Sequence, residues 1–145
     1  MEEIALCQNE IARTAHKELF NLSESAYLIF NGFGDLISLS GKEIKVHLCL
    51  NWEGLLKIIL WTESPPMPFI MKVLKTAGIE EKELRDMSAT EPLSLFHWLY
   101  YGKRFRVLRR LCAMARQAAE EKVRGVRFEC HLIAEETSRI VASTL

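Results

Sequence analysis

The chain has 145 residues, 49% of them hydrophobic and 26% charged, and its 19 basic residues balance 19 acidic ones. That length supports one sizeable hydrophobic core, and the balanced charge argues against steering toward nucleic acid or a membrane surface. The acidic start MEEIALCQNE is unlike a secretory signal, and the longest strongly apolar stretch, near 55–61, is broken by Lys57 and too short to span a bilayer. The expected compartment is therefore the cytoplasm, with Cys7, Cys49, Cys112 and Cys130 as reduced thiols.

Residues 2–22 read in two ways. Ile4, Ala5, Ile11, Ala12, Ala15 and Leu19 recur at helical spacing, whereas 3–8 alone suits a first strand. Residues 23–40 are similar. Leu22, Ala26, Ile29, Phe30, Phe33 and Ile37 favour a helix capped by Ser23 and ended by Gly41, while Asn31, Gly32 and Gly34 suit a turn between strands. The helix is the preferred reading.

The next segments are clearer. In 42–50, Ile44, Val46, Leu48 and Leu50 alternate with Lys45, His47 and Cys49, which predicts a strand. Asn51 then caps a helix to about residue 60, stopped by the prolines of SPPMP at 64–68. Short helices follow over 69–77 and 80–86, and Pro92 opens another over 93–101. Residues 103–124 form the longest helix, with Leu108, Leu111, Cys112, Ala115, Ala118, Ala119 and Val123 as its buried stripe and Gly125 past its end. A second strand spans 126–133, with Val126, Phe128, Cys130 and Leu132 on one face, and 135–140 suits a final helical turn.

Helices between strands predict an α/β fold, a layered sheet with parallel strands flanked by helices, over one domain of residues 1–145 with a helical insertion at about 62–102. Both firm strands alternate, whereas strands covered on both faces tend to be continuously apolar. The alternative is therefore an α+β open sheet with helices on one face.

Two motifs resemble the DsrE-like sulfur-carrier and sulfurtransferase family. One is the step from strand to helix GKEIKVHLCLNWEGLLKII, with Glu53 inserted between Trp52 and Gly54, followed by Pro92, Leu93 and Ser94 in the insertion. The other is AMARQAAEEKVRGVRFECHLIAEE, an amphipathic helix, a Gly-Val break and a strand carrying Cys130 near the family's thiol position. The resemblance covers residues 25–140. It implies a homo-oligomer that carries sulfur as a cysteine persulfide and exchanges it with a sulfur donor or acceptor protein.

The candidate catalytic residues are Cys130 and Cys49. A thiolate near the carboxyl ends of parallel strands sits where such sheets place their binding crevice, and His47 and Lys45 beside Cys49 could favour its ionised form. The competing reading makes Cys130 a small core residue beside Val126, Phe128 and Leu132. A metal set of His47, Cys49, Cys130 and His131 has suitable donor types, but Cys130 and His131 point oppositely and no C-x-x-C or H-x-x-x-H spacing supports it. No metal and no cofactor are expected. Residues 96–110 join aromatics to Lys103, Arg104, Arg106, Arg109 and Arg110, which suits a contact with a second subunit. In the competing function class, a non-enzymatic interaction module, the same segment docks a protein, a membrane surface or nucleic acid.

Overall fold

Alternation in the first half of the chain produces a strand that pairs on both sides. In the computed structural model, which describes residues 2–87 and 91–145, β3 (Ile44–Leu50) lies at the centre of a five-stranded sheet. Its parallel neighbours are β1 (Glu2–Cys7) and β4 (Arg127–Ala134). Outside these run β2 (Tyr27–Ile29), parallel to β1, and β5 (Arg139–Ser143), antiparallel to β4. The order is β2-β1-β3-β4-β5, a layered α/β sheet as expected.

The two faces of this sheet are unlike. Ile4, Leu6, Val46, Leu48, Phe128, Cys130 and Leu132 point to the thicker layer, built from α2 (Phe33–Ile37), α3 (Trp52–Leu60), α4 (Met67–Thr76), α5 (Glu81–Asp86), α6 (Pro92–Tyr101) and α7 (Phe105–Lys122). Six residues of the expected stripe of α7, Leu108, Leu111, Cys112, Ala115, Ala119 and Val123, are buried there at zero exposure, whereas Ala118 lies at the margin of that face and is only half-buried. The other face is covered by α1 (Glu10–Phe20) through small side chains, Ala12 and Ala15 against Ala5, Cys7 and Cys49. So the alternation has a different cause from the one inferred. The strands are covered on both sides, but the half carrying Lys45, His47 and Cys49 faces a single, weakly apolar helix.

Local signals set most boundaries. Asn51 caps α3, its side chain accepting from the Gly54 N–H at 2.9 Å, and Pro92 opens α6, where its carbonyl accepts from Trp52 Nε1 at 2.7 Å. Gly125, at φ +80°, turns the chain from α7 into β4. Asn9 and Asn51 both donate to the Glu135 carboxylate (2.7 and 2.9 Å), tying together the ends of β1, β3 and β4.

Two expectations are corrected. Residues 23–40 are not one helix: they hold a 3-10 turn (Glu24–Ala26), β2 and α2, because pairing with the free edge of β1 overrides helical spacing. Residues 135–140 do not form a helical turn but a tight reversal into β5, with Ser138 at φ +56°. Residues 2–22 satisfy both of their readings in succession, as β1 and then α1. The expected insertion at about 62–102 contains α4, α5 and α6, and its positions 88–90 lie outside the described residues. Among the described residues, no helix is long and apolar enough to cross a membrane.

Candidate metal centre

Three histidines meet under α1. His47 lies in mid-β3, His131 in β4, and His16 comes down from α1, whose start is fixed by Asn9 accepting from the Ala12 N–H at 2.9 Å. Their exposures are 0% for His16 and His131 and 1% for His47. Ring centroids are 4.7 Å apart for His16 and His47, and 5.1 Å apart for the other two pairs. One nitrogen from each ring falls within a single group whose members lie within 4.8 Å of one another.

Each ring is held from outside by a different partner. His47 Nε2 is 2.6 Å from Glu3 Oε2, His131 Nδ1 is 2.7 Å from Ser143 Oγ, and His16 Nδ1 is 2.8 Å from the Tyr27 hydroxyl. These partners come from β1, β5 and β2, so every strand but β3 and β4, which carry ligands, supplies one. The opposite nitrogens face inward. His47 Nδ1 and His131 Nε2 are 2.8 Å apart, and His16 Nε2 is buried with no hydrogen-bond partner among the described residues. Phe20, one helical turn after His16, stacks on it at 4.5 Å and lies 5.0 Å from His131 and 5.5 Å from His47, covering the cluster.

The electrostatics follow from this packing. The bond to His47 holds the Glu3 carboxyl below its ordinary pKa, so the carboxylate is ionised and can only accept. His47 must therefore carry a proton on Nε2, and in the neutral ring Nδ1 is then the acceptor. Burial pushes His16 down to about 4 and His131 down to about 3, aided by repulsion among the rings, so both are neutral near pH 7. A neutral His131 bridges the gap by donating from Nε2 to His47 Nδ1 while its Nδ1 accepts from Ser143.

The donor set fits a divalent ion. Imidazole nitrogen suits zinc and its first-row neighbours, with metal–nitrogen bonds of about 2.0–2.1 Å. Tetrahedral geometry then needs nitrogens about 3.3 Å apart. His47 and His131 would separate slightly, and His16 would close in on its unpartnered side. His131 would shift its proton from Nε2 to Nδ1 and donate to Ser143. Histidine ligands normally carry such outer partners, which fix tautomer and ring direction.

The candidate thiols lie elsewhere in the arrangement. Cys130 is fully buried on the α7 face beside Cys112, and that contact together with burial raises its pKa well above the free-thiol value. Cys49 is fully buried under α1 opposite Cys7, and burial likewise raises its pKa. Cys49 lies one residue before the end of β3 and Cys130 four before the end of β4, and both side chains are fully buried, so neither opens onto the carboxyl edge of the sheet. Of the expected metal set, only His47 and His131 come together, while Cys130 projects through the opposite face.

Sequence reasoning missed His16. The available signal was its place at helical spacing after Ala12, with Phe20 one turn later, on a stripe otherwise apolar. The 96–110 segment is partly consumed internally: Phe96 and Leu99 are buried, Arg104 lies over the Trp98 ring at 4.7 Å, and His97 and Tyr101 bind Glu136 at 2.9 and 2.7 Å. Compared with family models, with curated proteins and with solved structures, the chain finds no match in any of the three.

Proposed function

We propose that this chain binds one divalent transition-metal ion, of the zinc class, through His16, His47 and His131, and that the ion fastens α1 to the sheet. The observation that carries this reading is the pairing of roles in each ring. One nitrogen is engaged by Glu3, Ser143 or Tyr27, the other faces the shared centre, and His16 Nε2 is buried there without a partner among the described residues. A buried polar atom left unpaired costs roughly 1–3 kcal/mol, and coordination would remove that cost. The weak apolar contact of α1 supports a fastening role, because alanine-sized side chains contribute little burial energy. Three imidazole ligands leave one tetrahedral position, on which a water would be polarised by the ion.

Titration of chelator-stripped protein with Zn²⁺ and Co²⁺ tests the reading. One ion per chain, a tetrahedral visible spectrum for Co²⁺ and a raised thermal midpoint are expected, with binding lost in His16→Ala. Stabilisation of about 2.7 kcal/mol is expected at a hundredfold excess over Kd. A folded, stripped protein that binds neither ion more tightly than about 1 mM would overturn it.

Sulfur carriage through Cys130 or Cys49, in a homo-oligomer meeting a sulfur donor or acceptor, is a separate proposal. It needs an open state that brings one of these buried thiols to solvent. Persulfide mapped by peptide mass spectrometry after incubation with a sulfane-sulfur donor tests it.

A further inference from the structure

The carboxyl edge of the sheet carries a second feature, apart from the histidines. After β1 the chain turns to α1 on one face, and after β3 it turns to α3 on the other, so the two connections diverge. Open α/β sheets bind ligands where neighbouring connections part in this way. A pocket of about 240 Å³ lies there, below the size that accepts a drug-like molecule and suited to a small metabolite.

Its lining has three chemical parts. Phe30, Phe33 and Ile58 supply apolar surface. Gln8 and Asn31 supply amides, and Gln8 is fixed in place because its Oε1 accepts from the Asn51 N–H at 2.9 Å, leaving its own N–H groups to donate. Gly54 makes room for that amide, since a Cβ there would overlap it. The third part is one cation and one anion, Lys57 and Glu63, whose charged atoms are 3.9 Å apart. That separation is the outer limit of an ion pair, so each group keeps capacity for another partner. Their side chains are 35% and 68% exposed, within reach of an arriving ligand.

We infer that this pocket binds a small zwitterion of the α-amino-acid class, with its carboxylate on Lys57, its ammonium on Glu63 and an apolar side chain against Phe30, Phe33 and Ile58. One charge of each sign beside an apolar wall matches such a molecule. A simple anion would leave Glu63 opposed to it, and a simple cation would leave Lys57 opposed. The amide of Gln8 adds a donor for the carboxylate. The inference is independent of the metal centre, which lies beneath α1.

Calorimetric titration of the full chain with L-leucine, 4-methylpentanoate and 3-methylbutylamine separates the contributions, since the last two lack the ammonium and the carboxylate in turn. L-leucine should bind one per chain and each analogue at least about tenfold more weakly, a difference of roughly 1.4 kcal/mol. Lys57→Met and Glu63→Gln should each weaken L-leucine by a similar factor at unchanged thermal midpoint, and Lys57→Arg should restore part of the loss. Equal binding of 4-methylpentanoate and L-leucine by the unaltered chain, or tighter L-leucine binding in Glu63→Gln, would overturn the inference in favour of an anion site. It would equally fail if L-leucine, L-methionine and L-phenylalanine all left the folded protein unsaturated at about 10 mM.

Discussion

Glu3 Oε2 lies 2.6 Å from His47 Nε2, and this one contact decides which nitrogen of His47 faces His131. An ionised carboxylate accepts but cannot donate, so the proton stays on Nε2 and Nδ1 is presented to the centre. Glu3→Gln replaces that fixed acceptor with an amide able to present either group. Metal affinity should fall about 10- to 100-fold while far-UV circular dichroism is unchanged, as measured by competition with a coloured chelator. Unchanged affinity would mean that Glu3 does not orient the ligand.

The metal-free protein should be acid-sensitive. His16 and His131 titrate near 4 and 3 when folded but near 6.5 when unfolded. The unfolded chain therefore binds more protons below pH 6.5, and the stability contributed by keeping these rings neutral is present above that value. It is lost progressively as pH falls toward 4. Thermal midpoints of stripped protein should be level between pH 8 and 7 and should drop by several degrees at pH 5. An equal midpoint at pH 7.5 and pH 5 would refute the burial of neutral imidazoles.

Leu111 has zero exposure in the core beneath α7. Leu111→Ala should cost about 2–5 kcal/mol in urea unfolding, with the spread set by how far the site can collapse. Leu111→Asp should fail to give a folded protein. A folded Leu111→Asp variant of normal stability would place this side of α7 in solvent.

Cys130 should be chemically silent in the native state. Its contact with Cys112 and its burial oppose the thiolate, which is the reactive form. Iodoacetamide at pH 7.5 should modify it only on unfolding, with the modified peptide identified by mass spectrometry. Rapid native-state labelling would require an open conformation and would strengthen the sulfur-carrier proposal.

Much of the architecture was legible in the chain itself, because the signals involved are local. Alternation of Ile44, Val46, Leu48 and Leu50, the cap at Asn51, the proline at position 92 and the apolar stripe from Leu108 to Val123 each act within a few residues. The short strand Tyr27–Ile29 was hidden because its three residues exist as a strand only by pairing with β1.

The candidate centre was a matter for tertiary structure. His16, His47 and His131 are separated by a helix, a crossover and most of the chain, and no spacing rule links them. The residue pattern did establish that His47 and His131 sit on strands. Only the register of β3 with β4, and the docking of α1 by its small residues, brings three imidazoles to one point and removes the water around them. That Cys130 lies on the opposite face from His131 was by contrast legible in the sequence, because successive strand residues alternate sides; which layer covers each face was decided by the packing of α1 and α7.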